Sequence, residues 1–151
     1  MSRNLFAWAL LAAIVAGVEK GKQKLEQMEA LEASSSNNII SLDGDQYMQL
    51  VIENPRPYHV VMLYTVHDHC EHCNLMFPEF VSAVYSFKRQ EEKLPLKTFY
   101  CVLYHSQDTT QFYQWHGFTT VPYITVSLAL QKRDQEKAFY QEEDKWYVRP
   151  D

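Results

Sequence analysis

From Tyr58 to Val66 nearly every position after His59 is apolar, β-branched or aromatic. A short run without polar alternation predicts a strand buried on both faces, at the centre of a sheet. Lys97 to His105 and Tyr123 to Leu130 repeat the pattern less strictly, and Ile39-Ile40-Ser41-Leu42 adds a fourth strand. Between them the rhythm changes from two residues to 3.6. Phe77, Phe80, Val81, Val84 and Phe87 recur at helical spacing, predicting a helix over about 70–88 with Pro78 as an internal kink.

Shorter helices are predicted on either side. Asp43 can cap one whose apolar face is Tyr47, Leu50 and Val51, ended by Asn54-Pro55-Arg56-Pro57, and Gly117 closes another over 109–116. Leu25, Met28 and Leu31 make a narrow stripe on a peripheral helix over 18–33, broken by Ser34-Ser35-Ser36-Asn37-Asn38. Charged residues over 131–137 predict a turn, and 138–148 a final strand. Strands alternating with helices and then two strands together give an α/β sandwich with a mixed central sheet flanked by helices.

At 151 residues the chain holds one domain. A net charge of −5 and no cluster of Lys and Arg exclude a nucleic-acid footprint, so no nucleic-acid partner is expected. Met1 to Gly17 carries one cation, Arg3, ahead of the apolar run Leu5 to Ala16, which predicts a secretory signal peptide over 1–17 rather than a membrane anchor, the run being shorter than a spanning helix needs. The expected organisation is therefore a signal peptide over 1–17, a helix and linker over 18–38, and a compact domain over 39–151.

Candidate chemistry concentrates in His67-Asp68-His69-Cys70-Glu71-His72-Cys73. If a helix starts near Cys70, both sulfurs share one face and the first meets the unsatisfied amides of the helix end, which acidify a thiol. Cys70 is then the attacking thiol, Cys73 the shielded resolving thiol, and His72 a cation able to stabilise the Cys70 thiolate. Two other readings stay open. The two thiolates and two of the neighbouring imidazoles suffice for a tetrahedral zinc ion, although all would come from one short segment, and the pair could be a disulfide that never exchanges. The redox reading requires no metal and no cofactor. Cys101, in the predicted strand 97–105, is expected to be a small core residue.

The strand before Cys70-x-x-Cys73, the helix proline Pro78 and the later Thr120-Val121-Pro122 ahead of a strand resemble the thioredoxin fold. That resemblance implies a cis Pro122 beside the disulfide and a Val121 backbone offered to an extended peptide. Two positions depart from the thioredoxin pattern. Tyr64 stands where those enzymes often bury a carboxylate, and His69 where a tryptophan precedes the first cysteine, so proton transfer at Cys73 is expected to be slow and a mixed disulfide long-lived.

With the flanks Ile39-Ile40-Ser41-Leu42-Asp43-Gly44-Asp45-Gln46-Tyr47 and Arg56-Pro57-Tyr58-His59-Val60-Val61-Met62-Leu63-Tyr64-Thr65, the chain more closely resembles the lumenal domain of oligosaccharyltransferase gamma-type subunits, also described as magnesium transporters or tumour-suppressor candidates. The resemblance implies a subunit on the lumenal side of the endoplasmic reticulum that holds cysteine-containing nascent polypeptides by transient mixed disulfides, in company with other oligosaccharyltransferase subunits, to aid N-glycosylation. Phe77, Tyr113 and Phe118 are candidates for an apolar rim. The family continues into membrane helices and this chain shows no second apolar run, so membrane association is expected only through further sequence or a partner. A free disulfide-isomerase-like protein and a non-catalytic peptide-binding module, with a structural disulfide or zinc, are the alternatives.

Overall fold

The computed structural model describes residues 2–129, 139–142 and 145–148. Four strands, β1 (Ile39–Leu42), β2 (His59–Thr65), β3 (Thr98–Tyr104) and β4 (Tyr123–Ser127), form one sheet in the order β1-β3-β2-β4. β1 and β2 run parallel to β3, while β4 is antiparallel to β2, with Tyr123 opposite Tyr64 and Ile124 opposite Leu63. This is the mixed sheet expected from the apolar pattern. β2 is flanked by strands on both sides, and Val60, Met62, Leu63 and Tyr64 are all buried.

Alternation along the strands sorts the core into two faces. Ile40, Leu42, Val60, Met62, Tyr64, Phe99, Cys101 and Leu103 face one side, where helices α1 (Ser2–Ser34), α2 (Gly44–Tyr47) and α4 (Thr110–Trp115) supply Met28, Tyr47, Phe112 and Tyr113. Ile39, Leu63, Tyr100 and Val102 face the other, against Phe80 and Val84 of α3 (Glu71–Lys88). α2 begins in a reciprocal cap, the Asp43 carboxylate accepting from the Gln46 amide at 2.8 Å while the Gln46 side chain accepts from the Asp43 amide. It runs on into a π-helical turn, Met48–Ile52. α3 continues through Pro78, and the Ser82 hydroxyl donates to the Pro78 carbonyl.

The helix expected over 18–33 is the second half of a longer one, and it is not peripheral. Gly21, Lys24 and Met28 of α1 are buried, and the Lys24 ammonium donates to the Glu53 carbonyl at 2.7 Å. Lys88 of α3 lies between the carboxylates of Glu32 and Glu91, and Lys97 reaches Glu29 at 3.1 Å. Leu11, Ile14, Val15 and Val18, in the turns before Gly21, are exposed. Among the described residues no helix is long and apolar enough to cross a membrane. The single strand expected over 138–148 is instead two, β5 (Phe139–Glu142) and β6 (Lys145–Val148), paired antiparallel in a separate small sheet. The turn expected over 131–137 lies outside the described residues.

Candidate functional site

The chain leaves β2 at Thr65 and turns through His69, whose φ of 59° is left-handed, a conformation histidine tolerates better than branched residues do. That turn delivers Cys70 to the N-cap of α3. The Cys70 Sγ accepts from the Cys73 amide at 3.1 Å, so one of the orphan amides of the helix end points at sulfur. Cys70 and Cys73 are joined in a disulfide, S–S 2.05 Å, with Cα atoms 5.2 Å apart. The two sulfur residues are not equivalent. Cys70 is partly exposed, whereas Cys73 is only 3% exposed beneath the helix.

His72 and Glu71 are both exposed on the first turn of α3. His67 stacks on Tyr104 at 3.7 Å between centroids and 6° between planes, and both rings border the same cavity as Cys73. Among the described residues no group of three or more His, Cys, Asp or Glu side chains is placed to hold a metal ion. The Val121–Pro122 peptide is cis, and both residues are partly buried immediately before β4. Since Tyr123 pairs with Tyr64, Pro122 sits at the end of β2 from which the cysteine loop departs.

Two cavities open at this end of the sheet and share Val66 as a wall. One, of about 220 Å³, is bounded by Cys73, Phe77, Pro78 and Tyr104; the other, of about 320 Å³, by Val121 and Phe118 among others. Phe77 and Phe118 thus lie at the site, partly buried. Tyr113 belongs to the core despite touching the larger cavity. Its hydroxyl accepts from the Thr65 amide at 3.1 Å and lies 2.6 Å from the Leu103 carbonyl, tying α4 to the ends of β2 and β3. The apolar groups that do stand out beside the disulfide are Leu75, 64% exposed, and Met76, 37% exposed. The helical rhythm passes over them because they fall off the core-facing stripe.

Tyr64, where a carboxylate would be usual, points to the face away from α3. Its hydroxyl lies 2.8 Å from that of Tyr47, and His116 Nε2 lies 2.7 Å from Tyr47 and 3.4 Å from Tyr64. Burial raises the pKa of both tyrosines above the ordinary phenol range and lowers that of His116, so the trio is uncharged at neutral pH. Phe118 stacks against His116 at 5.1 Å and also meets Tyr64 at 4.7 Å, which fastens the segment leading to Pro122 onto this network. No local pattern in the sequence joins positions 47, 64 and 116. Cys101 is fully buried in β3 and its thiol is pushed well above the usual range by burial.

The family model described as OST3 / OST6 family, transporter family, matches residues 26–148. No curated protein matches the chain significantly. Among solved structures the chain is similar to thioredoxin f from spinach chloroplast, long form, with a TM-score of 0.52 and 16% identity over 74% of this chain and 88% of that one. At that identity the likeness concerns the fold, which is an α/β thioredoxin-like one.

Proposed function

Because the chain belongs to the OST3 / OST6 family, an endoplasmic reticulum oligosaccharyltransferase subunit family, we propose that its thioredoxin-like domain faces the lumen and captures cysteine-containing nascent polypeptides as mixed disulfides. Membership implies association with other oligosaccharyltransferase subunits; the nascent-chain partner is part of the proposal. Capture would delay oxidative folding and keep acceptor segments extended for glycosylation.

The observation that carries this reading is the asymmetry of the pair, one sulfur reachable at a helix N-terminus and the other enclosed. A thiolate of the nascent chain attacks Cys70 Sγ, the Cys70–Cys73 bond breaks, and Cys73 leaves as a thiolate that takes a proton. Attack of Cys73 back on Cys70 restores the disulfide and expels the chain as a thiolate, so the cycle is redox-neutral. In the reduced state the Cys70 thiolate, held by the Cys73 amide and the helix end, attacks a substrate disulfide instead. His72, exposed on the first turn of α3, is assigned a supporting role toward the Cys70 thiolate. Val121, ahead of Pro122, offers backbone groups to an extended peptide. Tyr64 is engaged with Tyr47 and His116, so it supplies no base to Cys73, in keeping with a long-lived intermediate.

Residues 1–17 are proposed to be a removable signal peptide. The contacts described for α1 favour this, since the anchoring side chains begin with Lys20 and Lys24. The decisive experiment expresses Cys73→Ser in cells, blocks free thiols and identifies proteins disulfide-linked to Cys70, with Cys70→Ser as control. Glycoprotein precursors held only by Cys73→Ser are the expected result. An empty trap, with normal expression and an accessible Cys70, would leave a peptide-binding module with a structural disulfide.

A further inference from the structure

The larger cavity beside Val66 has a chemical character of its own. Its apolar part comes from Val66, Val121 and the rings of Tyr113 and Phe118. Its polar part is uniformly uncharged in type or imidazole: Thr110, Gln114, Thr119, Thr120 and His105, with no carboxylate, ammonium or guanidinium among the lining residues. The Tyr113 hydroxyl is engaged with the backbone, and the Thr110 hydroxyl donates to the Ser106 carbonyl at 2.7 Å. Gln114, Thr119 and Thr120 are exposed, so their amide and hydroxyl groups are open to a new partner.

We propose that this cavity is a subsite that receives one side chain of the captured polypeptide near its cysteine and selects a neutral hydrogen-bonding group, a carboxamide or hydroxyl. The proposal rests on the mixed-disulfide reading and adds a specificity to it. Position favours it, because Val121 lines the cavity and is also the residue whose backbone the peptide would meet, while Val66 is shared with the cavity holding Cys73. Chemistry sets the preference. An aliphatic side chain would cover the Gln114 amide and the threonine hydroxyls without pairing them, and a charged one would lose water without finding a permanent opposite charge. A volume of about 320 Å³ leaves room for a polar side chain together with water.

The test uses the full chain carrying Cys73→Ser and peptides whose single cysteine bears an aromatic thiol as a disulfide. The Cys70 thiolate attacks the peptide sulfur, forms the mixed disulfide and releases the aromatic thiolate, whose absorbance gives the rate. One residue, scanned through positions flanking the cysteine, is Asn, Thr, Leu, Asp or Lys. At one position Asn or Thr is expected to react about fivefold faster than Leu, equivalent to about 1 kcal/mol, and faster than Asp or Lys. Gln114→Leu and Thr120→Val, each a surface change, are expected to reduce that ratio towards one. Equal rates for all peptides, or a preference that survives both substitutions, would overturn the subsite alone. Failure of every peptide to react, with Cys70 accessible to a small alkylating reagent, would overturn the capture reading and the subsite with it.

Discussion

On one face of the sheet Met28, Tyr47, Leu50, Tyr58, Phe99 and Phe112 are essentially inaccessible to water, enclosed by α1, α2, the π-helical turn and α4. On the other, among the described residues, Phe80 and Val84 of α3 pack against Leu63, Tyr100 and Val102. Val126 and Ile124, paired with Val61 and Leu63 and so directed to that same face, stay 58% and 42% exposed. The thick face carries the polar ties as well, with the Tyr47–Tyr64–His116 network and the Tyr113 hydroxyl fixing the strand ends from behind. The thin face carries the sulfurs. The polar ties and the disulfide therefore lie on opposite sides of the same four strands, and the disulfide's surroundings can be altered without reaching most of the core.

The strongest challenge to that contrast is a deletion on each side. Phe112→Ala should cost about 3–5 kcal/mol and Val84→Ala about 2 kcal/mol, read from urea denaturation midpoints; equal losses would erase the distinction. Next, Tyr47→Phe removes a hydroxyl shared by Tyr64 and His116 and should cost about 1–3 kcal/mol by the same measurement, with peptide capture by the folded fraction retained.

A subtler effect is expected with acid. Burial lowers the His116 pKa below its ordinary 6.5, so the unfolded chain binds more protons at this position as pH falls through and below that value. Stability should therefore decline from pH 7 towards acid, present above 6.5 and lost as pH approaches the folded value. The groups facing the ring are Tyr47 of α2, Tyr64 of β2 and Phe118, none a carboxylate that would oppose the trend. His116→Gln should flatten the profile over this range, and an unchanged profile would place the titrating group elsewhere. Smallest of all, Val126→Thr on the uncovered strip should move stability by no more than about 0.5 kcal/mol.

Local pattern made much of this readable. β2 was legible because a strand enclosed on both faces leaves no room for polar alternation, and a helix starting near Cys70 was expected from the cysteine pair directly following that strand, which the structure matches with Cys70 at the N-cap. Pro122 could be placed at the start of β4 by resemblance. What escaped depends on distant residues meeting. Continuity of α1 past residue 17 carries no break signal, and burial of Met28 depends on a sheet that the helix itself does not encode. Tyr113 was one of three aromatic candidates for a rim, and an aromatic spacing cannot reveal that its hydroxyl will bridge Thr65 and Leu103. The separate pairing of β5 with β6 was equally hidden, since an apolar run says that a strand forms and not which neighbour it takes.

The enclosure of Cys101 has a consequence for how the protein's state can be counted. Cys101 is fully shielded in β3 and Cys73 nearly so beneath α3, so the thiols of this chain are countable only after unfolding without reductant. Cys101 then contributes a constant one, and the oxidised chain offers one thiol and the reduced chain three. An even count of two arises when Cys70 is occupied and Cys73 has been released. A mass tag applied to the unfolded chain would read occupancy by a captured polypeptide directly from the parity of the label.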